Sequence, residues 1–522
     1  MCWRLVLVLV SLVRFAHATH VWLVHINSLV SIETALSRIS AVDEQDLRTH
    51  VHAALVDRVK EGQRPVIEYL RAMAVDGMTI TPLWISNSIV VRVSELTPTV
   101  ASAVEVIRWL PGVATVEEDA IVMRLIGFQD QMEYDEEEKV GTRSSDAQPQ
   151  GNVADLHAPQ LWRAGVTGQG VVVASIDSGV RYSHDALRDN FRGTTRHPDG
   201  TATYAFDYAF WAVPGTTPSQ ITPDSADEVG HGTHTMGTAV GSRGIGVAPN
   251  ATWITARAFD LNGAAKKSDF LLAAQWVLCP TKFDGHDRNC SLGANVITNS
   301  FGVDRSTPEF ANWKWLDDVL RTWKAAGVHS VFASGNTNGF QCGSVYFPGS
   351  SDLTLAVGAL IGTKTLWGAS GKGPSFVDST TGDSRQRAII KPDFVAPGAA
   401  IRSALSVKDD SYTRLTGTSM ATPHVAGAIA LLLSAQRSRP GLSDQPDALL
   451  EALKTSAYQK MSKPFLVPST CGNTSYAKYP NNIYGWGLPN VCLAATKLGV
   501  TCQERQQYWS SDDAMTGVLE VA

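Results

Sequence analysis

At 522 residues the chain is long enough for roughly two to four domains. Hydrophobic residues at 44% and charged residues at 18% describe a chain with ample core and exclude a disordered one. The net charge of −6 and the lack of any Lys/Arg-rich run exclude a nucleic-acid surface as the organising feature.

Arg4 precedes the apolar run from Leu5 to Val13, and Ala16-His17-Ala18 has the small-x-small form of a cleavage site. Residues 1–18 are therefore expected to be a secretory signal peptide. The run is too short to span a bilayer, and no later one reaches ~18 uninterrupted apolar residues, so the expectation is a secreted, extracellular protein without membrane contact.

Residues 19–122 have their own pattern. His20–Ile26 reads as a strand, a helical stretch runs to Ala41, and a longer polar helix covers Asp46–Met73. Strands follow at Thr79–Ile85 and Ser88–Val93, then a helix at Pro98–Leu110 and a last strand from Val113 to Val122. This β-α-β-β-α-β order predicts a small ferredoxin-like α+β domain. Residues 123–150 hold Asp135-Glu136-Glu137-Glu138-Lys139 and an aperiodic polar run, and read as an exposed linker, the kind of segment where proteolysis concentrates.

The texture changes over residues 151–500. Gly170–Ile176 is an almost unbroken apolar strand, as expected for a sheet covered on both faces. Similar runs recur at Trp253–Ala258, Ala294–Thr298, Ser330–Ala333 and Leu353–Val357, with helical stretches such as Ser268–Leu278 and Asn312–Ala326 between them. The alternation predicts an α/β fold: a doubly wound, mostly parallel sheet with helices on both faces. Functional groups in such a fold gather at the carboxyl ends of strands. Residues 501–522 read as a polar C-terminal tail.

Of seven cysteines, Cys2 falls in the expected signal peptide, which leaves Cys279, Cys290, Cys342, Cys471, Cys492 and Cys502. An even number in an exported chain favours disulfides over metal. Cys279 and Cys290 bracket a loop rich in Pro, Gly and Asp and form the first candidate pair; the other four leave three connectivities open. Asn250, Asn289 and Asn473 each begin an N-x-S/T sequon and are candidate glycosylation sites. No HExxH, CxxC or EF-hand pattern appears, so no catalytic metal is expected.

Four residues follow predicted strands or open predicted helices. Asp177 ends the run Val171–Ile176, His231 opens Gly230-His231-Gly232-Thr233-His234, and Asn336 follows Ala333-Ser334-Gly335. Ser419 stands before the apolar run Ala426–Ala435, in Gly417-Thr418-Ser419-Met420-Ala421-Thr422-Pro423-His424-Val425-Ala426-Gly427. Singly they read as a turn residue, a structural histidine, another turn residue and a helix cap. Together they supply a carboxylate, a base, an amide donor and a nucleophile.

Ile176-Asp177-Ser178-Gly179, His231-Gly232-Thr233-His234 and the block around Ser419 resemble the three signature blocks of subtilisin-like serine proteases, in that family's order Asp, His, Ser. The resemblance covers about residues 152–498, and Val296–Gly302 with Cys342 resembles the bacillopeptidase F-like branch in particular. It implies a secreted serine endopeptidase acting on protein or peptide substrates, with Asp177, His231 and Ser419 as triad and Asn336 as oxyanion donor. His234 and His424 match positions that are structural in the family. Ser300-Phe301-Gly302 matches the segment that pairs with an extended substrate, and Ala333-Ser334-Gly335 matches one wall of the first specificity pocket. Tyr346 stands where the family commonly has glycine, which implies a shallower pocket that disfavours large aromatic side chains. No acidic residue lies in these walls, which argues against processing at basic sites.

The N-terminal domain is similar to the family's inhibitory propeptide. The expected protein is therefore a self-processing zymogen, inhibited by its own propeptide, cut within 123–150 to leave a mature chain starting near Gly151, and acting as a monomer. Catalysis in the family needs no cofactor; structural calcium is common there, but no acidic loop of this chain is assigned to it. Two rivals fit less well. A catalytically silent subtilase-fold binding protein would have lost a triad residue, and an α/β-hydrolase would need Gly-x-Ser-x-Gly with the order Ser, Asp, His.

Overall fold

A computed structural model describes residues 20–28, 30–39, 44–126, 148–305, 307, 313–337, 341–377, 386–438, 446–465 and 468–502. The expected signal peptide, linker residues 127–147 and tail residues 503–522 lie outside the described residues.

The N-terminal unit runs β1 (His20–Ile26), α1 (Ile32–Leu36), α2 (Glu44–Ala72), β2 (Thr79–Leu83), β3 (Ser88–Val93), α3 (Pro98–Ile107) and β4 (Val113–Glu118). Thr97 starts α3 by accepting the Val100 N–H at 3.2 Å, with proline at the first helical position. The sheet is antiparallel in the order β2-β3-β1-β4, the ferredoxin-like arrangement. Strand alternation divides its side chains. Trp22, Val24, Ile89 and Val91 bury against Val66 and Leu70 of α2 and Val100 of α3. Val21, Leu23 and Val90 point the other way and join the core of the larger unit.

The predicted last strand is in fact two. β4 ends at Glu118, and β5 (Ile121–Leu125) leaves the N-terminal sheet altogether. Met123, Leu125 and Ile126 are buried, so this stretch is not exposed linker. The alternation of Met123 and Leu125 with Arg124 is strand-like, but it abuts the acidic run and covers too few residues to stand out.

The larger unit is built on β6 (Val172–Asp177), β7 (Phe210–Ala212), β8 (Thr252–Arg257), β9 (Ala264–Lys266), β10 (Val296–Asn299), β11 (Phe301–Gly302), β12 (His329–Ala333), β13 (Leu355–Ile361), β14 (Thr365–Leu366) and β15 (Phe394–Pro397). The main sheet has the order β14-β13-β12-β10-β6-β8-β7, with β15 also on β13. Every pairing is parallel except β13 with β14. Four helices matter to the site: α4 (His231–Val240), α5 (Lys267–Leu278), α6 (Lys314–Ala325) and α7 (Thr418–Arg437). Val173 and Val331 pack with α4 and α7 on one face, and Ala174, Ile176 and Phe332 pack with α5 and α6 on the other. This is why the strands are apolar in both registers. By length and composition α7 is apolar enough to cross a membrane, but it is buried as the core helix of this unit.

The two units join across α5. Asp119 accepts from the backbone N–H of Ser268 at 3.0 Å and from its hydroxyl at 2.8 Å, so it caps a helix whose own flanking residue Lys266 offers no cap. Arg92 pairs with Asp269 at 2.7 Å, and Glu117 pairs with Lys267. Cys279 bonds to Cys290 as expected, and Cys342–Cys471 and Cys492–Cys502 are the remaining pairs.

Candidate active site

Asp177 is the last residue of β6, His231 the first of α4 and Ser419 the second of α7. Asp177 Oδ1 lies 2.8 Å from His231 Nδ1, and both residues are buried. The same oxygen accepts from the Ser178 N–H at 2.7 Å, and Oδ2 meets the Thr235 hydroxyl at 3.4 Å, which fixes the carboxylate plane. His231 Nε2 is buried and has no hydrogen-bond partner among the described residues. Burial opposes a charged His231, but the Asp177 charge and hydrogen bond, with Asp227 behind them, outweigh it and hold the imidazole above its ordinary value.

Asp227 escapes a reading by motif. Its two oxygens accept from Ser178 Oγ (2.8 Å), Val229 N (3.2 Å), Gly230 N (2.8 Å), Thr233 N (2.8 Å) and Thr233 Oγ1 (2.6 Å). It thereby ties the end of β6 to the start of α4, where it accepts the Gly230 and Thr233 N–H groups while Ser178 Oγ accepts that of Gly232 at 3.0 Å. Burial raises its pKa. The available signal is an acidic residue shortly before a helix start.

Gly417 precedes α7, where a side chain would come within 3.0 Å of Asn336 Nδ2. Asn336 Oδ1 accepts from Thr418 N at 3.0 Å and from Thr418 Oγ1 at 2.8 Å. Because both partners donate, the amide orientation is set and Nδ2 is the free end. Nδ2 is buried without a partner among the described residues.

Ser419 Oγ does not bond to His231 here. It donates to the carbonyl of Ile126 at 2.9 Å and meets the Ser300 carbonyl at 3.2 Å. Ile126 arrives there because β5 is the middle strand of a three-stranded antiparallel sheet between β9 and β11. Arg124 faces Ala264 on one side and Gly302 on the other, and Leu125 faces Phe301. The Ile126 N–H donates to Ser300 O at 3.2 Å, and the Ser300 hydroxyl donates to Ser419 O at 2.9 Å. Phe301–Gly302 and the Ser300 carbonyl therefore lie along β5 and Ile126. The second rail, Ala264–Lys266, is not among the sequence candidates; three short residues carry no local signal.

A side chain on Gly302 would lie 3.2 Å from Ile126 Cδ1 and 3.2 Å from Tyr346 Cβ. The Tyr346 ring rests on Gly335, where a Cβ would fall 2.6 Å from ring carbons. Its N–H donates to Ser334 O at 2.9 Å and its hydroxyl to Asn336 O at 3.3 Å. The Ile126 side chain and the Tyr346 side chain thus both lie beside Gly302, and the Tyr346 ring covers Gly335.

The other histidines serve the backbone. His234 Nε2 meets Ile401 O at 2.9 Å, and its pKa is pushed down to about 3 by burial and the neighbouring His231. His424 meets Met420 O and Asn152, and burial pushes it down to about 4. Asn250, Asn289 and Asn473 are all exposed. Among the described residues no three His, Cys, Asp or Glu side chains gather as metal ligands.

The Subtilase family matches residues 168–487, a stretch that contains Asp177, His231, Asn336 and Ser419. Bacillopeptidase F of Bacillus subtilis is 34% identical over 373 residues, covering 69% of this chain and 23% of that protein. The chain thus spans about a quarter of that relative's length. Subtilisin E of Bacillus subtilis is 29% identical over 326 residues, 62% of this chain and 70% of that protein. The Halolysin-like extracellular serine protease Nep of Natrialba magadii is 29% identical over 311 residues, 58% of this chain and 47% of that protein. The chain belongs to the subtilase family of serine endopeptidases.

Proposed function

We propose that this chain is a secreted endopeptidase made as a zymogen that cuts itself. The observation that carries the reading is the 2.9 Å hydrogen bond from Ser419 Oγ to the carbonyl of Ile126, at the end of a strand held on both edges. In the reactive arrangement that carbonyl oxygen moves to Asn336 Nδ2 and the Ser419 N–H, and Ser419 Oγ turns to His231 Nε2. The Oγ–carbon bond then forms as His231 takes the proton, the peptide C–N bond breaks as His231 returns it to the amine, and water releases the acyl group by the same route. Asp177 holds Nδ1 and stabilises the imidazolium. Oxyanion donors such as Asn336 act only as charge develops, so they lower the barrier without tightening substrate binding.

The same contact supports residues 19–126 as the inhibitory propeptide and the bond after Ile126 as the maturation site. This falls within the expected 123–150 segment but well before Gly151. N-terminal sequencing of the secreted form tests it: a start at Gly127 is expected, and a Ser419→Ala chain should remain uncut. A mature start near Gly151, or normal cutting without Ser419, overturns it. A fluorophosphonate probe that labels the wild type and not S419A separates an enzyme from a silent binding protein.

Tyr346 supports a substrate preference. In this reading the residue before the scissile bond is Ile126, beside Gly302 and Tyr346, and the Tyr346 ring over Gly335 leaves less room for larger side chains. A peptide library should show Ile, Val or Leu before the scissile bond; strong selection for Phe or Tyr overturns the assignment.

A further inference from the structure

One buried charge in this unit has no part in the scheme above. Lys372 is 0% exposed, and among the described residues no carboxylate pairs with its ammonium. The ammonium instead donates to the carbonyls of Ser370 at 2.6 Å and Gly368 at 3.2 Å. Burial lowers its pKa to about 8, so keeping a charge here opposes a real desolvation penalty.

What those carbonyls belong to gives the charge a use. Residues 369–371 run beside the strand end that carries Asn336. The Thr337 N–H donates to Ala369 O at 2.7 Å, the Gly371 N–H donates to Gly335 O at 2.9 Å, and Asn336 and Ser370 face each other as an isolated antiparallel bridge. The fit is close: a side chain on Gly371 would lie 2.2 Å from Ser334 O. The backbone of Lys372 also exchanges bonds with Ser344, whose hydroxyl accepts the Lys372 N–H at 3.1 Å and whose N–H donates to Lys372 O at 2.7 Å. Residues 369–371 therefore lie against the backbone that carries Asn336, Ser344 lies against Lys372, and the Lys372 ammonium sits on the carbonyls of that same segment.

We propose that Lys372 is a positioning residue for Asn336: by clamping the Gly368 and Ser370 carbonyls it fixes the backbone on which residues 335–337 are registered. Without the ammonium the buried Ser370 carbonyl and the half-buried Gly368 carbonyl lose their donor, and the segment relaxes. The amide then reaches the developing oxyanion less well, while ground-state contacts along Ser300–Gly302 stay as they are. The inference rests on Asn336 being the oxyanion donor.

The test is a double-mutant cycle on the mature enzyme with Lys372→Met and Asn336→Ala, every preparation titrated with a fluorophosphonate probe so that rates are per folded site. K372M should lower kcat by about tenfold to a hundredfold with KM within about threefold, the size expected of a small misplacement of a catalytic group. K372R should recover most of the loss. On the N336A background K372M should change kcat by no more than about threefold. An unchanged kcat in K372M, or a loss that multiplies in full on N336A, overturns the proposal. If N336A itself leaves kcat unaltered, the oxyanion assignment fails instead. Lys372→Gln carries the same comparison where K372M yields no titratable site.

Discussion

Ser419 Oγ lies 2.9 Å from the carbonyl oxygen of Ile126, a residue 293 positions earlier in the chain. Ser419 and the end of β5 are thus hydrogen-bond partners, and in the proposed function Ile126 is the residue before the scissile bond. Ile126→Asp places an unpaired carboxylate there, and burying a charge without a partner costs several kcal/mol. Maturation of I126D should be slower than wild type by about a hundredfold or more, whereas I126L should stay within about tenfold. Pulse-chase of the secreted chain measures both, and equal rates for Asp and Ile would remove Ile126 from the scissile position.

Asn336 has one end occupied by Thr418 and the other without a partner among the described residues. Asn336→Ala should lower kcat by about 10²–10³-fold, or ~2.7–4 kcal/mol, with little change in KM; the figure comes from the side-chain donor of subtilisin itself. Steady-state kinetics of the titrated enzyme decides. A change confined to KM would mean that the amide binds substrate rather than the transition state.

In the proposed mechanism His231 must be neutral to accept the Ser419 proton. Burial lowers its affinity for protons, but Asp177 and then Asp227 raise it further, so its pKa lies above the ordinary 6.5. Activity should therefore fall as pH drops through that raised value. The kcat profile is the appropriate readout, since it reports the occupied cleft, the state described here with β5 in place. An acid limb below 6.5 would show that burial wins. For stability the sign is opposite: the raised pKa favours the folded protein at acid pH, and that contribution fades as pH rises through it.

Asp227 gathers five donors at the joint between β6 and α4. Asp227→Ala removes the acceptor from four buried donors and the part-buried Val229 N–H, at about 1–3 kcal/mol for each buried group that finds no substitute. The variant should unfold at a clearly lower temperature, and it should lose activity because the frame around His231 loosens. Thermal denaturation of the S419A background, free of self-digestion, measures the first effect; a melting point equal to the parent would make Asp227 dispensable.

The parts legible from sequence are those whose meaning is local. Gly170–Ile176 reads as a strand because a sheet covered on both faces needs apolar residues in both registers. Asp177, His231 and Ser419 read as a set because each sits in its own short block. β5 is different: Ile121–Leu125 earns its strand only from Ala264–Lys266 and Phe301–Gly302, far away in sequence. Asp227 likewise depends on donors brought in from Ser178 and Thr233, and Lys372 on carbonyls that matter only because Asn336 lies behind them. Cys279 and Cys290 are close in sequence and readable as a pair, while Cys342 and Cys471 are 129 residues apart and are paired only by the fold.

Asp119 completes a helix that belongs to the other unit. If the chain is cut after Ile126, as proposed above, and the two parts separate, the Ser268 N–H at the start of α5 loses its acceptor, a loss of about 1 kcal/mol that falls on the larger unit alone. The product of maturation is then no longer the molecule that folded. It must rebuild α5 without its borrowed cap, so a denatured mature chain and a denatured precursor start their return from unequal footing.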